Sequence, residues 1–339
     1  MRLLKKMKCI KYPKIKQFRD VIRDVSFYSS LVGFEENGDP ILNESLNKPT
    51  LTFKGTVKLH GTNSGIGYSR SDGLWAQSRN NIITPENDNN GFASFVESKK
   101  EILINHFNFL EKQGADLDKQ TVIYGEWAGS GINNGCGIHQ LKEKSFFYFD
   151  LFSDEKWIDY EFIHWDGINN LYSIRKFKTF QIDIDFNNPE SSQNQLIEIT
   201  NEVERECPVA KKLGFSGIGE GVVWSCHWED KYLQFKVKGE KHQVSKVKTL
   251  APVDEEKLNS ITEFVNYSVT DNRFNQAISE VIGESIINIE KLGHVIRWVV
   301  KDIIDEESET LKNSDLTTKD VSSYIATKVR KKYQDLIQW

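Results

Sequence analysis

The sequence predicts an α+β fold followed by an all-helical segment, and three patterns predict it. Between Leu51 and Val237, short stretches alternate apolar and polar residues with a period of two. Helical stripes are interleaved with these strands at 92–110 and 193–207. After Pro252 the alternation stops and apolar residues recur only at helical spacing.

Length and composition bound the function classes. The chain has 339 residues, enough for two domains and a sizeable core. Hydrophobic content of 38% with 12% aromatic residues argues against disorder. No apolar run approaches the roughly 20 residues that span a bilayer. Lysines interrupt the apolar residues of the basic N-terminal stretch, so no signal-peptide core is read there. Cys9, Cys136, Cys207 and Cys226 show no C-x-x-C spacing, which indicates neither a zinc site nor a disulfide framework. A reduced, cytoplasmic protein is expected. The net charge of -5 disfavours a uniformly basic nucleic-acid binder, but the charge is uneven. Arg2, Lys5, Lys6, Lys8, Lys11, Lys14, Lys16, Arg19 and Arg23 oppose only Asp20 and Asp24, and a second basic run spans Lys231 to Lys248. Such stripes either track phosphates or form solvated surface.

Taken in order, a short helix is expected near Gln17 to Val25, then a turn at Asn37 to Pro40. Leu51, Phe53, Gly55 and Val57 alternate with Thr52, Lys54, Thr56 and Lys58, which gives a strand with one apolar and one polar face. Gly61-Thr62-Asn63 offers a tight turn into a second short strand, Ile66 to Ser69, so the pattern around Lys58 reads as a hairpin. Leu74 to Arg79 is another strand, and Phe92 to Leu110 a helix in which His106 serves packing. Thr121 to Trp127 is β-prone and delivers Glu126. The glycine-rich 129–137 lacks both the P-loop and the dinucleotide pattern. Phe146 to Phe152 is an aromatic strand containing Phe149-Asp150, and 157–186 holds further strands. Gln193 to Cys207 is a helix ended by Pro208. Two strands follow, Glu220 to Trp224 and Tyr232 to Lys238. In the second, Leu233, Phe235 and Val237 form the apolar face, so Gln234, Lys236 and Lys238 project together from the other. A boundary is placed at 250/251, between domains 1–250 and 251–339. Asp254 then acts as an N-cap ahead of Leu258, Ile261, Phe264 and Val265. Longer stripes run from Ile289 to Ile303 and from Val321 to Leu336.

The ends of these strands carry the chemistry. They supply, in order, Lys58, Arg79, Glu126, Phe149-Asp150, Glu220 and the pair Lys236/Lys238. A lysine becomes a nucleophile only when its ammonium loses a proton, which neighbouring cations or desolvation favour. Two lysines aimed from one strand face need an anionic partner or water. Glu126 and Glu220 adjoin glycines in apolar strands, where an unpaired carboxylate is costly; the alternative for both is a surface ion pair.

Lys58-Leu59-His60-Gly61-Thr62-Asn63 resembles motif I of the covalent nucleotidyltransferases in the K-x-H-G-x-N form. That form is similar to RNA ligases of the RNA ligase 2 type, which include phage and kinetoplastid editing ligases. The later strand-end residues match motifs Ia, III, IIIa, IV and V in order, and the likeness covers most of 51–248. It implies an adenylyltransferase domain built of ATP-grasp-like antiparallel sheets. It also implies an ATP-dependent enzyme that adenylylates itself, transfers AMP to an RNA 5′-phosphate and joins a 3′-hydroxyl, with a role in RNA repair. ATP and Mg²⁺ (or Mn²⁺) would be the cofactors, and RNA ends the partner of a monomer that binds no membrane.

The resemblance carries roles to individual residues. Lys58 would be the nucleophile, while Lys236 and Lys238 would hold the α-phosphate and lower the lysine pKa by like-charge repulsion. His60 would sit by the departing pyrophosphate and Asn63 would orient the reacting phosphate. Arg79 would contact AMP or the incoming 5′-phosphate. Glu126 and Asp150 would accept from ribose hydroxyls, and Phe149 would stack on adenine. Glu220 would be the metal-directed carboxylate. One departure is Val57, where phage-type relatives often carry a glutamate that reads the adenine amino group. DNA ligases and capping enzymes usually have Asp in place of His60 and append an OB-type barrel, against which the helical pattern after Asp254 speaks. A non-catalytic RNA-end-binding protein on the same fold is the alternative from another class.

Overall fold

The computed structural model describes residues 9–43, 46–158, 168–187, 189–242, 254–283 and 287–337. Arg2, Lys5, Lys6, Lys8, Lys246, Lys248 and the boundary expected at 250/251 lie outside the described residues, as does the side chain of Leu258. The chain divides into two compact units, Met1–Gly239 and Glu240–Trp339.

In the first unit, helix α1 (Phe18–Ser30) runs a turn beyond the expected end. It starts with a reciprocal cap, in which the Gln17 N–H donates to Asp20 Oδ2 at 3.1 Å. Strands β1 (Leu31–Phe34) and β2 (Pro40–Leu42) form a separate antiparallel ribbon around the expected turn. The chain then enters β3 (Thr50–Lys58), β4 (Thr62–Ser69), β5 (Gly73–Ser78) and β6 (Ile82–Ile83). The helix expected over 92–110 is two helices, α2 (Phe92–Ser98) and α3 (Lys100–Lys112). The break is at Lys99, whose φ of -113° and ψ of 10° leave the helical region. One apolar stripe continues across it through Phe92, Val96, Leu103, Phe107 and Leu110.

Strands β7 (Thr121–Ala128), β8 (Ser145–Ser153), β9 (Lys156–Ile158), β10 (Leu171–Ser173) and β11 (Thr179–Asp185) come next. Helix α4 (Gln193–Arg205) ends before Pro208, which opens α5 (Pro208–Lys212) as its first residue, where a missing N–H costs nothing. The last strands are β12 (Gly221–Trp228) and β13 (Lys231–Lys238).

These strands make two larger sheets. One has four strands in the order β11-β3-β12-β13, all antiparallel. The other has seven, ordered β10-β8-β7-β4-β5-β6 with β9 also on β8. Its β8–β10 pair is parallel, the one exception in it to the antiparallel sheets expected. The hairpin expected around Lys58 does not form: β3 and β4 belong to different sheets, and the chain crosses between them at 59–61. The reason is packing. Trp224 of β12 lies flat on Gly55 of β3, where an added Cβ would meet its ring at 2.8 Å, and this commits β3 to the four-stranded sheet. That sheet buries Phe53, Trp224, Phe235 and Val222 with residues of α1, α4 and α5. The larger sheet packs Ile66, Ile123 and Phe146 against Phe92, Leu103 and Phe107 of α2 and α3.

The second unit contains α6 (Asp254–Ser268), α7 (Asp271–Val281), α8 (Leu292–Asn313) and α9 (Thr318–Ile337), with no strand among its described residues. Its core joins Phe264, Val295, Val299, Val321, Ile325 and Tyr333, the stripes that the sequence pattern predicts. Arg273 is fully buried there, its Nε donating to Asp302 at 2.9 Å and its Nη1 to the Ser268 carbonyl at 2.6 Å. Its Nη2 lies 3.6 Å from Glu307. Glu307 is where α8 kinks, with φ -110° and ψ 17°.

Candidate active site

The crossing between the sheets positions Lys58. Strand β3 ends at Lys58, and register places Gly221 of β12 beside it and Lys238 of β13 beside Gly221. Gly221 has a φ of +149°, and a Cβ there would meet the Val237 carbonyl oxygen at 2.2 Å, so this row closes only around glycine. Gly61 lets the crossing chain press on β7, since its Cβ would lie 2.4 Å from the Trp127 carbonyl oxygen. Both backbone groups of Gly61 are satisfied. Its N–H donates to Glu126 Oε1 at 3.0 Å, and its carbonyl accepts from Asn133 Nδ2 at 2.7 Å. The glycines of the K-x-H-G and E-G sequences are therefore contact requirements of the two sheets.

At this row the structure brings together Lys58, His60, Glu220 and Lys238. Lys58 Nζ donates to Glu220 Oε2 at 2.7 Å, and Lys238 Nζ lies 3.0 Å from Oε1. His60 Nδ1 is 3.4 Å from Oε2. Glu220 is 3% exposed. Burial pushes its carboxyl upward, but Lys58, Lys238 and His60 together hold it well below the usual carboxylate range. Burial pushes the Lys58 ammonium down, yet Glu220 and Glu126 outweigh this and raise it above 10.5. The expected lowering by like-charge repulsion is therefore not found: the neighbouring carboxylates win. Burial lifts Glu126 to about 7 against the pull of Lys58, with the charge of Glu220 adding to the rise.

The other expected residues are placed around this row. Asn63 faces Glu126 across β4 and β7. Lys236 projects from the same face of β13 as Lys238, two residues earlier. Arg79 follows β5 directly, is exposed, and makes no ion pair among the described residues. Phe149 stands at a bulge: Tyr148 and Asp150 pair with Gly125 and Tyr124, which leaves Phe149 without an opposite residue. A bulge re-aims the side chain it carries, and Phe149 is partly buried against both the four-stranded sheet's core and the ring of Tyr12. His106 remains a packing residue on α3, its imidazole pushed down to about 4 by burial.

Asp150 is buried and held by residues that sequence reasoning does not single out. It accepts from the Tyr12 hydroxyl, from the Tyr232 hydroxyl at 2.6 Å and from Gln234 Nε2 at 2.9 Å. Burial raises its carboxyl, and these three donors oppose the rise. Tyr12 lies in a segment that runs from the seven-stranded sheet, where Gln77 and Tyr124 donate to the Ile10 carbonyl, to β13, where the Lys236 N–H donates to the Lys16 carbonyl. That segment ties the two sheets together. Only the face alternation of β13 hints at Gln234; Tyr12 is one aromatic residue in a basic run and carries no local signal.

Among the described residues, no three His, Cys, Asp or Glu side chains gather to hold a metal ion. A magnesium-type ion keeps its waters and shares phosphate oxygens, so it needs one or two carboxylates and no all-protein cage, which the carboxylate of Glu220 fits.

A strand-end lysine on a buried carboxylate thus stands where the chain crosses between the two sheets. The RNA ligase family model matches residues 52–248, and the chain belongs to that family. No curated protein matches it. Among solved structures it is similar to a Naegleria gruberi RNA ligase. An arginine-to-alanine variant of that enzyme with ATP and Mn is 16% identical, with a TM-score of 0.44, covering 69% of this chain and 57% of that one. The same ligase with PPi gives 16% identity, a TM-score of 0.44 and the same coverage. This chain thus spans a little over half the length of those ligases.

Proposed function

We propose that this protein is an ATP-dependent RNA ligase that joins RNA 3′-hydroxyl and 5′-phosphate ends in RNA repair. The observation that carries this reading is the row Lys58–Glu220–Lys238 at the crossing between the sheets. Lys58 Nζ attacks the α-phosphorus of ATP; an N–P bond forms, the bond to the β-phosphate oxygen breaks, and pyrophosphate leaves. AMP then passes from lysine to the RNA 5′-phosphate, and the 3′-hydroxyl displaces it. Positioning and electrostatic stabilisation supply most of the rate in such in-line transfers.

The resting ion pair sets what the protein must do. Lys58 is held as an ammonium by Glu220 and Glu126, so it attacks only after giving that proton up to solvent water. A Mg²⁺ or Mn²⁺ ion borne by Glu220 would neutralise the carboxylate that holds the proton and screen the triphosphate. Lys238, within 3.0 Å of Glu220, would hold the α-phosphate, with Lys236 on the same strand face. His60 serves the pyrophosphate side, and Asn63 orients the reacting phosphate. Phe149 stacks on adenine and Glu126 accepts from ribose; Asp150, expected to accept from ribose too, is instead engaged by its three protein donors. Arg79, exposed and unpaired among the described residues, takes AMP or the incoming 5′-phosphate through its planar fork. The helical unit engages the RNA ends.

The test is the intact mass of the full chain after incubation with ATP and Mg²⁺. A gain of one AMP, absent from Lys58→Ala and from Lys58→Arg, is expected. No gain in the wild-type chain would reduce it to an RNA-end-binding protein. A soluble fragment ending near Thr249 should still adenylylate yet fail to seal 5′-phosphorylated RNA; sealing at the full-chain rate would remove the helical unit from substrate engagement.

A further inference from the structure

The glycine-rich stretch 129–137 carries no phosphate-binding pattern, yet it is anchored in both cores of the sheet unit. Ile132 is buried with the residues of the seven-stranded sheet. Cys136, Ile138 and Leu141 are buried with those of the four-stranded sheet. The Ser130 N–H donates to the Leu141 carbonyl at 2.8 Å and closes the loop at its base. Past Cys136, the Gly137 N–H donates to the Ile218 carbonyl at 2.8 Å, and a Cβ on Gly137 would meet Ala210 Cβ at 3.0 Å. The stretch is a strap from one core to the other, and 133–135 is the span between its anchors.

Asn133 opens that span. Its neighbour Asn134 is exposed, whereas Asn133 is half-buried and donates from Nδ2 to the Gly61 carbonyl at 2.7 Å. Its φ is +41°, in the left-handed region that asparagine enters more readily than most side chains. Such a conformation persists only where its surroundings impose it. The contact lands on the crossing between the sheets. Strand pairing stops at Lys58, opposite Gly221, and resumes at Thr62, opposite Trp127. Between them, two side-chain hydrogen bonds stand in for a ladder: Asn133 on the Gly61 carbonyl and Glu126 on the Gly61 N–H. One comes from the strap and the other from β7.

We propose that Asn133 is a positioning residue for adenylyl transfer. Its amide fixes the Gly61 carbonyl, and the crossing so held sets where Lys58 and His60 stand relative to the α-phosphorus. Asn133 acts through Gly61 and not on the nucleotide. An in-line attack depends on the placement of the attacking atom, so a crossing free to shift loses rate without losing ATP. The inference rests on the ligase reading of the site.

Two substitutions in the full chain separate this role from a merely structural one. Asn133→Gly keeps the left-handed backbone accessible and removes the donor. Asn133→Asp keeps the shape and replaces the N–H donor with an acceptor. Each should lower the kcat of adenylylation on the order of 10²-fold, the scale of a misplaced reacting group. The KM for ATP should stay nearly unchanged, the mark of an interaction that matters in the transition state, and so should the urea midpoint. Backbone hydrogen exchange over 59–63 should be faster in both variants than in the wild type. An Asn133→Gly chain that reacts at the wild-type rate would overturn the proposal, leaving asparagine there for its backbone conformation alone. Rates that fall only in step with the urea midpoint would make Asn133 architectural. A wild-type chain that takes up no AMP would overturn the ligase reading, and with it the catalytic role. The exchange comparison would still decide whether Asn133 holds the crossing, and unchanged exchange would overturn the hold itself.

Discussion

Among the described residues, two ion clusters centred on a buried charge are built in opposite senses. In the sheet unit, one carboxylate is central: Glu220 is 3% exposed, while the Lys58 and Lys238 side chains that flank it are each 20% exposed. In the helical unit, one cation is central: Arg273 is 0% exposed, flanked by Asp302 at 22% and Glu307 at 5%. Burying charge is expensive in either place, and removing one partner strands the other. The difference lies in which groups still reach solvent. Lysines that can be approached from outside can exchange a carboxylate for a phosphate. An enclosed guanidinium fixed to a carbonyl and to a kinked helix has nothing to exchange with. On the proposed function, the first cluster serves chemistry and the second shape.

Substitutions should separate the two by what they damage. The largest effect is expected from Lys58→Ala, which removes the amine and so abolishes adenylylation while leaving the urea midpoint nearly unchanged, because Lys238 and His60 still face Glu220. Retained adduct would sink the nucleophile assignment, and a collapsed midpoint would make the site cluster architectural. Glu220→Gln and Lys238→Ala should each slow adenylylation on the order of 10²-fold, the scale of one preorganised electrostatic donor. Near-normal rates in both would mean that the row is only a solvated strand end. Arg273→Leu should do the reverse. It strands two carboxylates and should cost the helical unit roughly 3–5 kcal/mol in denaturant unfolding. Adenylylation should continue at the wild-type rate.

A smaller effect is expected at the segment joining the sheets. Tyr12→Phe keeps the ring contacts with Tyr124, Phe149 and Trp157 and removes one donor to Asp150. Leaving a buried acceptor one bond short should cost about 1–3 kcal/mol and raise the KM for ATP, if Asp150 and Phe149 line the adenine side. An unchanged KM with lowered stability would confine Tyr12 to packing.

Tyr12 also marks where sequence reasoning runs out. Period-two alternation makes β3, β12 and β13 legible, and with them the face that carries Lys236 and Lys238, because alternation is a local property of each strand. The helical stripes after Pro252 are legible for the same reason. Which sheet a strand joins is not local. Gly61-Thr62-Asn63 suits a hairpin turn as well as a crossing between sheets, and long-range contacts such as Trp224 lying on Gly55 favour the crossing. The donors to Asp150 come from positions 12, 232 and 234; alternation puts Tyr232 and Gln234 on one face of β13, but no spacing links that face to Tyr12 or to Asp150. The direction of the Lys58 shift was hidden for a related reason. Residue types show cations in the same set as the lysine, but only the folded arrangement shows that Glu220 and Glu126 outweigh them at Lys58.

The subtlest expected effect tests that electrostatic balance at Glu126. Its ordinary value of 4.5 is raised to about 7 in the folded protein, first by burial and further by Glu220, against the pull of Lys58 and the Gly61 N–H. Below 4.5 both the folded and unfolded chains hold the proton, and Glu126 contributes no pH dependence. Between 4.5 and about 7 the unfolded chain has released it while the folded chain keeps it, so rising pH favours unfolding. Above about 7 both have released it and the penalty stays constant. Glu126→Gln is neutral throughout and still accepts from Gly61, so it lacks this penalty. Urea midpoints of the two proteins should coincide near pH 4.5, diverge in favour of the variant up to about pH 7, and run parallel beyond it. Curves that stay parallel across the whole range would mean that Lys58 holds Glu126 ionised, and the two carboxylates would then share the lysine's charge equally.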